Sequence, residues 1–217
     1  MNSENNKVTW MTETQYLPPV SAFVMMRSFP VIAIDGEEDF RKSTTRNRCI
    51  IIGVNGPLTL TVPVKGGRGV RDKTRDIRIS NEEKWQHRHW RSILSAYGKS
   101  SYFIFYEEKL RRQYEKRYEF LIDFNTKLMG ACFEILQWRK EIGLNPMRND
   151  QQKILRPGKG IVQNITLRRY YQVFESRHGF IANASIVDLL FNSGNEADAY
   201  LEKCHPDFDH ITISEKH

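Results

Sequence analysis

Apolar residues follow two rhythms along the chain. Before residue 80 the apolar runs are short and rich in β-branched residues; beyond it apolar positions recur at helical spacing. Lys7-Val8-Thr9-Trp10-Met11 predicts a strand, and Gln15-Tyr16-Leu17-Pro18-Pro19 predicts a turn. Two prolines break both sheet and helix interiors, although Pro19 can begin a helix. Ser21 to Ser28 predicts an apolar helix, and Pro30-Val31-Ile32-Ala33-Ile34 a buried strand. Strand, helix and strand within about 30 residues predict a right-handed βαβ unit. Ligands bind such units at the carboxyl ends of the strands. That places the Gln15 to Pro19 turn, and whatever follows Ile34, at the mouth of a site.

Cys49-Ile50-Ile51-Ile52 and Leu58-Thr59-Leu60-Thr61-Val62-Pro63-Val64, joined by Gly53-Val54-Asn55-Gly56-Pro57, predict a β-hairpin. Asp76-Ile77-Arg78-Ile79 predicts one more short strand. Trp85, Trp90, Ile93, Leu94 and Tyr97 then sit at helical spacing, with Ser80 or Asn81 as cap. Ser100 to Arg112 predicts a second helix, and Tyr114 to Ile142 a long third one ending at Gly143. Arg148 to Thr166, which contains Pro157-Gly158-Lys159-Gly160, predicts a long loop. The chain closes with Tyr170 to Phe174 and a short helix, Ile186 to Phe191, stopped by Gly194. The expected fold class is α/β: an N-terminal βαβ with a mixed sheet, followed by a mainly helical C-terminal half. All 217 residues fit one domain, with a sheet part at 7–80, a helical part at 81–145, a loop at 146–167 and a closing segment at 168–203.

Composition narrows the class. A 40% hydrophobic fraction supports a core, and no apolar run approaches the ~20 residues of a membrane span. The start, Met1-Asn2-Ser3-Glu4-Asn5-Asn6, shows no secretory signal. Cys49, Cys132 and Cys204 are odd in number and far apart, which argues against a disulfide framework and a cysteine-rich zinc site. A soluble protein of the reducing cytosol is expected.

The net charge of +7 is concentrated. Between Arg41 and Arg91 stand 13 basic and 4 acidic residues, a local +9 that leaves −2 for the rest of the chain. Such a field attracts phosphates, nucleotides or nucleic acid. Its densest part is Arg41-Lys42-Ser43-Thr44-Thr45-Arg46-Asn47-Arg48, four cations with no carboxylate among them. Strand alternation puts Arg46 and Arg48 on one face and Asn47 on the other, so two guanidiniums can grip one anion. The plainer reading is an edge strand carrying charges against aggregation. Gly66-Gly67-Arg68-Gly69 is a weaker phosphate loop, with no helix behind it.

His87 and His89 diverge by about 200° on a helix and cannot share a metal ion. No metal site is expected. His89 stands as a candidate base or hydrogen bonder near an anion. The chain contains no nucleophile elbow, Walker loop or dinucleotide-binding glycine motif. Cys49 beside Arg48 reads as a buried structural thiol.

Together these features resemble the WbqC-like family, in its shorter branch. The Gln15 to Pro19 turn is similar to that family's Gln-Pro-Tyr-x-x-Pro turn, and Arg46-Asn47-Arg48 to its Asn-Arg signature before a strand. Pro63 matches a Thr-x-Pro strand, and Trp90 to Tyr97 a helix leading to Ala-Tyr. Phe180-Ile181-Ala182-Asn183-Ala184-Ser185-Ile186-Val187-Asp188-Leu189-Leu190 resembles the family's Phe-x-x-Asn-Leu-Ser-Ile-x-Asp-x-Leu, with Ala184 in place of leucine. The resemblance spans roughly Lys7 to Leu201. Where longer members carry a further α/β segment, this chain has only the Arg148 to Thr166 loop. The opening elements also resemble the HIGH-motif nucleotidyltransferases, whose catalytic histidines have no counterpart at Val20 to Phe23.

The resemblance implies a role in surface-polysaccharide (O-antigen type) biosynthesis: transfer of an acyl or aminoacyl group to a nucleotide-linked aminosugar. That chemistry requires phosphate binding, deprotonation of an amine and stabilisation of an oxyanion. Under it Lys42, Arg46 and Arg48 hold phosphate, Gln15 and Tyr16 line the mouth, and Asn47, Asn183 and Ser185 orient substrate. His89 or Asp188 is the base. Asp188 has an equal structural reading, as an acid in the first turn of a Ser185-capped helix. The expected partner is an anionic small molecule, a nucleotide sugar or activated acyl donor, with no resident cofactor. A non-catalytic nucleotide-sugar or RNA-binding module is the alternative; RNA is less favoured because the aromatics sit in helices rather than on a sheet face. A structural or assembly protein is a third class.

Overall fold

The computed structural model describes residues 8–65, 72–144, 154–155 (backbone only) and 165–204. The predicted βαβ unit is present as β1 (Thr9–Thr12), α1 (Val20–Arg27) and β2 (Val31–Ile34). β1 and β2 pair in parallel, Thr9 opposite Val31 through Thr12 opposite Ile34. α1 is buried on nearly every side, as expected of a helix with no polar stripe. β1 is buried along its whole length too, the burial pattern of a parallel sheet covered on both faces.

Two strands from the second half of the chain complete this sheet. β5 (Glu141–Leu144) pairs in parallel with β2, and β6 (Ile154–Leu155) with β1, giving the order β5-β2-β1-β6. The hairpin forms as predicted from β3 (Arg48–Gly53) and β4 (Gly56–Thr61), in a separate antiparallel pair. The α/β class therefore holds. Asp76 to Ile79 makes only isolated bridges, Ile79 with Val64 and Arg78 with Phe120, after a short 3-10 turn at Thr74–Asp76.

Helices α2 (Trp85–Tyr97), α3 (Phe103–Glu115) and α4 (Leu121–Ile135) follow. α2 buries Trp85, His89, Ile93, Ala96 and Tyr97, while Leu94 faces outward. The long helix expected from Tyr114 to Ile142 is instead three pieces: the end of α3, all of α4, and β5. α4 stops because Gln137 turns into the left-handed region at φ 58, with Trp138 N–H reaching back to Phe133 and Gln137 N–H to Glu134. This is a Schellman ending built without the glycine that would have announced it. Ile142 then joins the β2 ladder, where pairing across the sheet overrides its helical spacing. The predicted loop from Arg148 to Thr166 falls mostly outside the described residues, as does Gly66 to Gly69; within it, Ile154 and Leu155 form β6.

The closing segment supplies α5 (Glu175–His178), α6 (Ile186–Ser193) and α7 (Ala197–Lys203). α6 is buried from Ile186 to Asn192. Its entry is tied to the entry of α1: Val20 N–H donates to Ala184 O, Ile186 N–H to Pro18 O, and Ser185 N–H to Ile50 O. Among the described residues, no helix is long and apolar enough to cross a membrane.

Candidate functional site

β1 and β2 end side by side, so the residues just beyond them share one edge of the parallel sheet. Glu13, Thr14 and Gln15 follow β1; Asp35, Glu37 and Glu38 follow β2. Asp35 N–H still reaches Thr12 O, extending the ladder by one step. Arg46 comes into this edge from the chain before β3. Its Nη2 lies 2.7 Å from Glu13 Oε2 and 2.6 Å from Glu38 Oε2, and its Nε donates to Glu38 Oε1 at 2.9 Å. The guanidinium thus grips Glu38 with two nitrogens and touches Glu13 with one. Thr45 Oγ1 donates to Glu13, and Asn125 Nδ2 binds both Arg46 O and Thr14 Oγ1.

Arg46 is 9% exposed at its side chain, Glu13 30% and Glu38 22%. The pair therefore sits at the surface end of the core. Burial is the largest influence on Glu38, raising its carboxyl above the usual range; Arg46 pulls it down, and nearby Glu13 and Asp35 push it up. For Arg46 burial lowers the pKa, and the two carboxylates more than restore it. Burial thus leaves Glu38 a stronger proton acceptor than a free carboxylate.

The basic segment is thus not the unopposed patch that its sequence suggested. Among the described residues, acids from outside it pair with four of its thirteen cations: Glu37 with Arg75, Asp39 with Lys73, Glu119 with Arg78, and Glu13 and Glu38 with Arg46. Arg46 and Arg48 do not share a face either. Arg46 precedes β3 and turns inward, whereas Arg48 begins β3 and is exposed. Arg41 and Lys42 are exposed beside it. Arg41, Lys42 and Arg48 are thus the exposed cations of this stretch, whereas Arg46 is paired.

Other expected residues are engaged in holding the fold. Asn47 is fully buried; its Oδ1 accepts Ser43 N–H and its Nδ2 donates to Val62 O. Gln15 is buried and donates to Thr12 Oγ1. Asn183 adopts φ 59 and its Oδ1 accepts Ser21 N–H, capping α1 from a distant part of the chain. Ser185 is the N-cap residue of α6 by position, yet its buried hydroxyl has no partner.

His89 and Tyr16 are brought together in the core. Tyr16 OH lies 2.9 Å from His89 Nδ1 and 2.7 Å from Tyr114 OH, and the other ring nitrogen meets the Thr61 backbone. A consistent proton chain runs from Tyr114 to Tyr16 to Nδ1, with Nε2–H donating to the Thr61 carbonyl. Burial and the nearby Arg88 charge lower the imidazole pKa to about 4. His89 is therefore neutral at pH 7, with both nitrogens occupied.

Asp188 forms a third cluster. It is 1% exposed and accepts from Tyr170 OH at 2.5 Å, from Gln172 Nε2 at 2.7 Å and from Tyr97. Burial raises its pKa, and these three hydrogen bonds oppose the rise. Tyr97 OH in turn accepts Ile52 N–H, linking α2, β3 and α6. Asp188 thus ties elements together, away from any open surface.

Glu13 and Glu38 were missed by local reading of the sequence. The signal was available, since both follow the strands whose carboxyl ends were expected to form the mouth. Among the described residues, no three His, Cys, Asp or Glu are grouped to hold a metal ion.

A model of the WbqC-like protein family matches residues 14–174. The matched span includes Glu38 and Arg46 but begins one residue after Glu13, and it stops short of Phe180 to Leu190. No curated protein and no solved structure matches the chain.

Proposed function

The chain belongs to the WbqC-like protein family, and from that premise we propose that it is a transferase acting on an activated, phosphate-bearing small molecule in surface-polysaccharide biosynthesis. The reaction proposed is acyl or aminoacyl transfer to the amine of a nucleotide-linked aminosugar. The observation that carries this reading is the Glu13–Arg46–Glu38 cluster at the carboxyl edge of the parallel sheet. A sugar ammonium suits this carboxylate-rich edge, while Arg41, Lys42 and Arg48 offer exposed cations for phosphate. The bound ammonium first loses a proton to solvent. The neutral amine then attacks the carbonyl carbon of the donor, and Glu38 takes the second nitrogen proton. The C–S or C–O bond to the donor's thiol or phosphate breaks, the leaving group departing as its anion. Arg46 keeps that carboxylate oriented. Here Glu38 replaces His89 and Asp188 as the base, because both of those are buried in the core whereas the Glu38 side chain keeps solvent contact.

A thermal-shift screen of nucleotide sugars, acyl-coenzyme A and aminoacyl donors tests the reading. Stabilisation by a nucleotide sugar that weakens in Lys42→Ala and Arg48→Ala supports it. Product formation by mass spectrometry should then fall at least 100-fold in Glu38→Gln, the scale of a lost general base, about 10²–10⁴-fold. No shift with any phosphate ligand overturns it. A shift without turnover in any donor–acceptor pair favours a non-catalytic binding module.

A further inference from the structure

A concavity lies where the closing segment meets the start of α3. Its volume is about 830 Å³, within the size range of small-molecule sites. Four tyrosines line it: Tyr102, Tyr170, Tyr171 and Tyr200. Three of these are fixed. Tyr102 packs against Gly194, whose added Cβ would stand 2.2 Å from the ring. Tyr170 meets Tyr200 edge to face at 5.1 Å and is held from behind by Asp188. Tyr200 OH donates to Arg168 O. Tyr171, by contrast, is 63% exposed, a flat aromatic face offered to solvent.

Charge and polarity in the same cavity are equally specific. Arg168, Arg169 and Lys203 line it against a single acid, Glu196. Arg169 is paired with Glu175, whereas Arg168 and Lys203 are exposed. Asn192 also lines the cavity while being 7% exposed. Its Nδ2 donates to Asp188 O at 2.8 Å, which fixes the amide orientation, and its buried Oδ1 has no partner. An exposed aromatic face beside exposed cations suits a ligand with a flat ring and an anionic tail.

We propose that this cavity binds a nucleoside diphosphate, with the base stacked on Tyr171 and the phosphates on Arg168 and Lys203. Stacking on tyrosine accepts any base, and the two cations need only reach the phosphate oxygens. This site is built from residues other than those of the sheet edge and does not depend on the reading given to that edge.

Calorimetric titration of the full chain with uridine diphosphate, adenosine diphosphate and pyrophosphate tests it. At least one nucleotide should bind, and pyrophosphate at least tenfold more weakly. Tyr171→Ala and Arg168→Ala, both at exposed positions, should each weaken nucleotide binding about tenfold, since a lost stack is worth roughly 1–3 kcal/mol. Both losses should recur in a Lys42→Ala/Arg48→Ala background, which removes two exposed cations of the sheet edge. Absence of nucleotide binding overturns the proposal. Pyrophosphate binding as tightly as nucleotide overturns it too, as does nucleotide binding to the Lys42→Ala/Arg48→Ala protein that neither cavity variant weakens.

Discussion

Tyr16 and His89, 73 residues apart in sequence, meet through a 2.9 Å hydrogen bond between the phenol oxygen and Nδ1 in the buried core. Burial keeps this imidazole neutral down to a pKa of about 4. An unfolded histidine titrates near 6.5, so between those values the unfolded chain binds one more proton than the folded one. Stability from His89 is therefore fully present above about pH 6.5 and is lost as the pH falls towards 4. Urea denaturation at pH 6.5 and 5.0 should show His89 contributing a loss of about 2 kcal/mol. In Tyr16→Phe and wild type alike, the His89 ring resonance should stay at its neutral position at pH 5.5. A resonance midpoint near 6.5 in the wild type would contradict this account.

Arg46 holds two partly buried carboxylates together. Arg46→Met should destabilise the fold by about 2–3 kcal/mol, less than the 3–5 of a fully buried broken pair because Glu13 and Glu38 retain some solvent contact. The double variant Arg46→Met/Glu38→Gln should recover part of that loss. Equilibrium unfolding of the three proteins checks this, and strictly additive losses would contradict it.

Asn183 combines a positive φ of 59 with a hydrogen bond to Ser21 N–H. Asn183→Gly keeps the backbone freedom and loses the cap, so it should cost about 1 kcal/mol. Asn183→Ala loses both and should cost about 1 kcal/mol more. Melting curves of the two variants separate the contributions; equal losses would mean that the backbone conformation carries no cost.

Asp188 accepts hydrogen bonds from Tyr97, Tyr170 and Gln172 in the core. Asp188→Ala strands those donors and should destabilise by about 3 kcal/mol or more. Tyr97→Phe removes one donor together with the acceptor for Ile52 N–H, and should cost about 1–2 kcal/mol. If Asp188→Ala melted like the wild type, Asp188 would not be the structural hub described above.

Gly194 takes φ 56 directly over the Tyr102 ring. Gly194→Ala places a methyl where only Tyr102 can yield, and overpacking of this kind costs about 1–3 kcal/mol. The same variant should weaken nucleotide binding in the adjacent cavity, because Tyr102 lines it. Calorimetry and thermal melts on one sample read both effects.

Much of the architecture was legible from the order of residues. The βαβ opening, the hairpin at Gly53 to Pro57 and the helix from Trp85 to Tyr97 all rest on local periodicity and turn chemistry, and all three formed. The long helix from Tyr114 failed for a local reason with no local sign, a left-handed Gln137, and for a distant one, the β2 ladder that claims Ile142. At the candidate site the sequence determined that the carboxyl ends of β1 and β2 would lie side by side, because this follows from the βαβ pattern itself. Only the tertiary structure decided which side chains meet at that edge. Arg46 read as a free cation until Glu13 and Glu38 arrived from two other segments, and His89 read as a base until burial closed both of its nitrogens. Strand and helix periods are properties of neighbouring residues. Ion pairing and desolvation belong to groups that become neighbours only when the chain has folded.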